Sequence, residues 1–194
     1  MKTGVLALQG AVREHLRSLS RLGVEAVPVK EVSELEGLDG LVFPGGESTA
    51  MTLLGSGKLL ARLRALAREG FPMFGTCAGM VLLSKEVDGQ DEPAIGAIDL
   101  AIVRNASGRQ VHSFETTLEV EGAGRDIPAV FIRAPSVTRL GPGVVPLAWH
   151  NGSVVVARQG NVLVSSFHPE LTDDLRIHRL FLDIVEKRKK ETER

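Results

Sequence analysis

The chain has 194 residues, 43% of them hydrophobic and 24% charged, with a formal net charge of −1. That length suits one domain built on one sizeable core, and the near-neutral balance excludes the basic field that gathers nucleic acid or an anionic membrane. A single cysteine excludes a disulfide framework and fits a reducing, cytoplasmic setting, while no apolar run is long enough for a secretion signal or a membrane span.

Thr3 to Leu8 is a short apolar run that reads as a buried parallel strand. Val12, Leu16, Leu19 and Leu22 then recur at helical spacing with Gly23 as a stop, predicting a helix over 11–22. Val24 to Val29 and Gly40 to Pro44 read as the next two strands, the second running into Gly45-Gly46. Helical pattern covers 48–55 and 58–69, with Gly70 as the stop. Pro72 to Thr76 is a further apolar strand, followed from Cys77 to about Lys85 by an apolar helix-like stretch.

This alternation predicts an α/β fold with a mostly parallel central sheet flanked by helices, and ligands outside the carboxyl ends of its strands. Beyond residue 95 the runs become short and strand-like: 98–103, 116–120, 129–133, 145–150, 153–157 and 162–167. Asn151-Gly152 predicts a hairpin turn. These runs read as antiparallel additions in the C-terminal half plus a returning central strand over 162–167. An amphipathic helix over 173–188 follows, and the charged end at 186–194 reads as solvated. No repeat or linker interrupts the chain, so one domain over 1–194 is expected.

Two clusters carry chemistry. Gly75-Thr76-Cys77-Ala78-Gly79 has the form G-x-C-x-G at a strand-to-helix junction, the setting of a nucleophile elbow. A tight turn there exposes the side chain, and a helix N-terminus favours the thiolate. A buried, inert cysteine is the other reading. Ser166-Phe167-His168-Pro169-Glu170 closes the returning strand, and residues two apart in an extended chain face the same side. His168 can then serve as a base for a thiol and Glu170 can orient its ring. A surface strand end, or a metal site made of Cys77, His168 and Glu170, remains open on these residues alone, although no supporting ligand spacing accompanies them. Pro44-Gly45-Gly46-Glu47-Ser48 follows a strand and precedes a helix; the N–H groups of Gly46 and Ala78 are candidate oxyanion donors, and a plain helix-entry turn or a phosphate loop are the alternatives. His15, His112, His150 and His178 have no comparable partner in sequence and read as structural or solvated.

The segments G-T-C-A-G-M, F-H-P-E-L and F-P-G-G-E-S resemble the class I, triad-type glutamine amidotransferases, whose fold is flavodoxin- or Rossmann-like. Narrower markers resemble the glutaminase subunits of pyridoxal 5'-phosphate synthase: G-V-L-A-L-Q-G-A-V-R-E-H ending at His15, R-N-A-S-G-R-Q from Arg104, S-F-E from Ser113 and F-I-R-A-P from Phe131. The resemblance implies Cys77 as nucleophile, His168 as base and Glu170 as its orienting acid. It implies glutamine binding by Gly46, Glu47, Ser48, Arg104, Ile132 and Arg133. It implies hydrolysis of L-glutamine through a glutamyl-thioester, no cofactor, and ammonia passed to a synthase (lyase) subunit in a hetero-oligomeric complex. The Q-G-A-V-R-E-H region from Gln9 to His15 is the expected docking region, because Gln9 and Gly10 follow the carboxyl end of the first strand. Ser107 departs from the pattern, which often has a bulky aromatic before that glycine. Another cysteine hydrolase, a non-catalytic module on the same fold, or a glutaminase serving a different amidotransferase are the rivals.

Overall fold

The computed structural model describes residues 1–104 and 113–193. Ser107, His112 and the R-N-A-S-G-R-Q run beyond Arg104 lie outside the described residues. In chain order the elements are β1 (Lys2–Leu6), α1 (Val12–Arg21), β2 (Glu25–Val29), β3 (Gly40–Phe43), α2 (Ser48–Leu54), α3 (Gly57–Arg68), β4 (Met73–Thr76), α4 (Ala78–Leu83), β5 (Ser84–Val87) and β6 (Ile98–Val103). The second half adds β7 (Phe114–Val120), β8 (Gly124–Phe131), β9 (Ser136–Leu140), β10 (Val145–His150), β11 (Ser153–Gln159), β12 (Val162–Ser165) and α5 (Arg176–Thr192).

Among the described residues a seven-stranded sheet runs in the order β10-β11-β12-β4-β3-β1-β2. The strands from β12 to β2 are parallel, and β11 and β10 extend them antiparallel. The parallel part has the flavodoxin-like order, with its switch point between β1 and β3. Alternate side chains enter opposite cores. Leu6, Leu41, Phe43, Met73 and Val164 join one cluster with α2, α3 and α4. Val5, Val42, Phe74 and Leu163 join the other, under α1, α5 and the β7–β8 pair. Burial on both faces explains why these strands read as continuous apolar runs rather than alternating ones.

The sheet, the helices and the returning strand follow the sequence expectation, with five differences, one of them the last helix, which spans Arg176–Thr192 where 173–188 is expected. The helix after Cys77 ends at Leu83 instead of Lys85, because Ser84 turns extended and β5 pairs with β6, an assignment that needs a partner distant in sequence. β9 has no signal of its own and exists by pairing with β6. The run expected over 129–133 is the end of a longer strand, and it stops at Phe131 because Arg133 takes a φ of 46°. The returning strand stops at Ser165, two residues before Phe167. The hairpin at Asn151-Gly152 has φ of 47° and 79°, both positive as a type I′ turn demands.

The carboxyl ends of β1, β3, β4 and β12 gather at one edge, and two glycines let them close. A Cβ on Gly10 would overlap the Gly45 carbonyl oxygen across the switch point, where Ala11 N–H donates to that same oxygen at 2.9 Å. A Cβ on Gly79 would overlap the Phe43 carbonyl oxygen, so helix α4 rests directly on the end of β3. Gly79→Ala is therefore expected to destabilise the fold by about 3 kcal/mol. Urea unfolding reads this as a lower midpoint, and an unchanged midpoint contradicts the close approach.

Candidate active site

Cys77 stands between β4 and α4 with φ 47° and ψ −101°, a strained pair for a residue with a Cβ. The strain is held by the surroundings. Cys77 N–H donates to the Ser165 carbonyl at 2.8 Å, tying the elbow to the end of β12, and its own carbonyl accepts from Val81 N–H at 3.2 Å. A Cβ on Gly75 would come within 2.6 Å of the Gly79 backbone, so the small residues on both sides of the cysteine are required by space. The thiol is only 7% exposed, faces the Ile132 carbonyl at 3.8 Å, and opens to a cleft of about 370 Å³.

His168 enters the same cleft from the end of β12, its N–H donating to the Val130 carbonyl at 2.9 Å. Its Nδ1 lies 2.9 Å from Glu170 Oε1, which leaves Nε2 for the thiol. The pairing expected from the sequence is present, but its cause differs. Pro169–Leu171 form a single turn of 3-10 helix, so His168 and Glu170 meet around a bend and not along an extended strand. Gly45 is pressed against the ring; a Cβ there would overlap His168 Cε1.

The charges are strongly coupled. Burial alone disfavours ionised Glu170, yet the nearby His15 and His168 rings hold its carboxyl well below the usual range. Burial also opposes a charged His168, but hydrogen bonds to Cys77 and Glu170, and the charge of the Glu170 carboxylate, push it up from 6.5 to about 10. The ring therefore keeps its proton at neutral pH.

The cleft collects the remaining expected residues. Gly46, Glu47 and Ser48 line it from the β3–α2 turn, Arg104 from the end of β6, and Ile132 and Arg133 from the turn after β8. The Glu47 carboxylate caps α2, accepting from Thr49 N–H at 3.0 Å and Ala50 N–H at 2.7 Å. Those bonds hold its pKa down. Arg104 donates to Thr49 Oγ1 at 3.2 Å, which aims the guanidinium along the cleft wall. Ala78 begins α4 beside the thiol. Sequence reasoning did not identify Gln9, Val81 and Pro135 as wall residues. Gln9 Oε1 accepts from Glu47 N–H at 2.7 Å and thereby fixes the glycine turn. Nor did it identify the contact of His15 with Glu170, since these residues are far apart in the chain. Among the described residues no group of three or more His, Cys, Asp or Glu side chains, Cys77, His168 and Glu170 included, is disposed to hold a metal ion, and no helix is long and apolar enough to cross a membrane.

The sequence model of the SNO glutamine amidotransferase family matches residues 5–187. The chain is 51% identical over 187 residues to the pyridoxal 5'-phosphate synthase subunit PdxT of Carboxydothermus hydrogenoformans, covering 95% of this chain and 98% of that one. It is 53% identical over 190 residues to the PdxT subunit of Geobacillus kaustophilus, covering 97% of each. A crystal structure of a glutamine amidotransferase superposes with a TM-score of 0.90 at 50% identity, over 95% of this chain and 98% of that one.

The raised His168 pKa has a consequence for stability. Below pH 6.5 the ring is protonated in both folded and unfolded chains and its pairing with Glu170 is fully felt. Between 6.5 and about 10 the unfolded chain sheds the proton first, so this contribution is lost as pH rises through that window. The stability advantage of the wild type over Glu170→Gln is expected to shrink steadily from pH 7 to pH 10 in urea unfolding. A constant difference contradicts the coupling.

Proposed function

The chain belongs to the SNO glutamine amidotransferase family, and on that premise we propose that it hydrolyses L-glutamine and delivers the ammonia to pyridoxal 5'-phosphate synthesis. Cys77 is the nucleophile, His168 the proton carrier and Glu170 its orienting acid. The observation that carries this reading is the convergence of thiol, imidazole and buried carboxylate at the edge of one cleft, with the 2.9 Å bond from His168 to Glu170 fixing the ring.

The reacting pair is a Cys77 thiolate and a His168 imidazolium, a state supported by the raised His168 pKa. The sulfur attacks the side-chain amide carbon of glutamine. The oxyanion that forms is held by the Gly46 and Ala78 N–H groups. As the C–N bond breaks, His168 gives its proton to the departing nitrogen and ammonia leaves, with glutamate bound as a thioester on Cys77. Water then attacks the thioester carbon, neutral His168 takes the proton, and the C–S bond breaks to restore the thiolate. Arg104 and Arg133 suit the carboxylate of the amino acid, because a guanidinium matches two oxygens with paired donors. Ile132, Glu47 and Ser48 complete the wall around the substrate. The relatives are named as subunits of pyridoxal 5'-phosphate synthase, which supports a separate synthase subunit as the receiver of the ammonia. Gln9 and Gly10, exposed beside the cleft, are the proposed docking edge. The whole chain, 1–194, is one glutaminase domain on this reading, supported by a single sheet to which both halves of the chain contribute.

Cys77→Ala is expected to lower glutaminase turnover by at least about 10⁴-fold with circular dichroism unchanged. Glu170→Gln is expected to reduce kcat far more than it raises KM for glutamine. Ammonia release measured with and without an added synthase subunit checks both. Normal release by Cys77→Ala overturns the mechanism.

A further inference from the structure

Behind the carboxylate lies a second polar chain that the proposed mechanism leaves unused. His15 of α1 and His178 of α5 are both fully buried, 163 residues apart in sequence, with His15 Nδ1 2.9 Å from His178 Nε2. On its other side His15 Nε2 lies 3.1 Å from Thr76 Oγ1 and 3.5 Å from Glu170 Oε1. Thr76, the residue before Cys77, donates its hydroxyl proton to Glu170 Oε1 at 3.3 Å. Phe74 meets both imidazoles edge-on and seals the pair from solvent. Such a buried polar chain is costly unless its members are mutually satisfied.

The hydrogen-bond directions follow from the groups themselves. Thr76 has one proton and spends it on the carboxylate, so toward His15 it can only accept. A bare Nε2 lone pair on His15 would face both the hydroxyl oxygen and the carboxylate, which is repulsive. Nε2 therefore carries a proton. Burial above all lowers the His178 pKa, to about 3, so His178 holds a single proton at neutral pH. Placing it on Nε2 lets it donate to His15 Nδ1, whereas on Nδ1 it would be a buried donor with no protein partner among the described residues.

We infer that His15 is a positioning residue for Glu170: its Nε2–H, oriented by His178 from behind, clamps the carboxylate through Thr76 and by its own 3.5 Å approach to Oε1, and so sets the angle at which Glu170 holds His168. The three groups converge on Oε1, while Oε2 has no protein partner among the described residues. Without the clamp the carboxylate can rotate away from His168 Nδ1. The inference rests on the glutaminase reading above.

The test compares His15→Phe, which keeps a ring but has no donor, with His15→Gln, whose amide N–H can reach the same acceptors. His15→Phe is expected to lower glutaminase kcat about tenfold with KM for glutamine changed less than about twofold, and His15→Gln to recover most of the loss. Wild-type kinetics in both variants overturns the inference, as does an equal loss in both, which would mean that ring packing alone matters. ¹⁵N spectra of histidine-labelled wild-type protein provide a readout that needs no variant to fold. A protonated His15 Nε2 is expected, and a bare Nε2 overturns the clamp. Cys77→Ala run alongside separates the two levels: an inactive Cys77→Ala with an unaffected His15→Phe sinks only the clamp, whereas an active Cys77→Ala sinks the glutaminase reading.

Discussion

A carboxylate placed out of reach of water is the constraint around which this end of the molecule is arranged. Glu170 has a fully buried side chain, and an ionised group in that position is tolerable only with charged or donating neighbours. Its neighbours come from three places in the fold. His168 immediately precedes the 3-10 turn that carries Glu170, Thr76 ends β4, and His15 projects from α1. Satisfying one oxygen thus fixes the relative positions of the first helix, the central strand and the returning strand. The same desolvation that makes the charge costly makes its effect on His168 large, because little solvent screens the pair.

The second requirement is space. The thiol, the imidazole and the glycine turn come together because backbone touches backbone where side chains would normally intervene. Gly79 lets α4 sit on the end of β3, Gly45 admits the His168 ring, and Gly10 lets the first loop meet the turn after β3. The positive φ of Cys77 is the local cost of exposing sulfur above the sheet, of the order of 1–3 kcal/mol. It is repaid by contacts elsewhere, including the bond from Cys77 N–H to the end of β12. Fold and site are therefore one problem: the strand order that buries two apolar faces also brings four loop starts to one edge.

What could be read from the chain divides along the same line. Local signals were sufficient for the elements with strong period or punctuation, such as α1 before Gly23 and the Asn151-Gly152 hairpin. The G-x-C-x-G and His-Pro-Glu segments also stood out, since both carry their spacing in adjacent residues. β5 and β9 were not legible, because short strands without alternation are defined by a partner remote in sequence. The contact of His15 with Glu170 was invisible for the same reason. The segment that ends at His15 marks the family but gives His15 no role, and its partners Thr76, Glu170 and His178 belong to three other parts of the chain. The glycines of the Pro44-Gly45-Gly46 turn were noticed for the N–H groups they could aim; the structure adds that Gly45 is small because a ring lies against it.

The most direct measurement of the central claim is covalent trapping. A diazoketone analogue of glutamine, incubated with the protein and followed by peptide mass spectrometry, labels whichever nucleophile lies in the glutamine cleft. One adduct on Cys77, suppressed by excess glutamine and accompanied by loss of ammonia release, is the expected result. Labelling at another residue, or full ammonia release from protein carrying the Cys77 adduct, would contradict the triad.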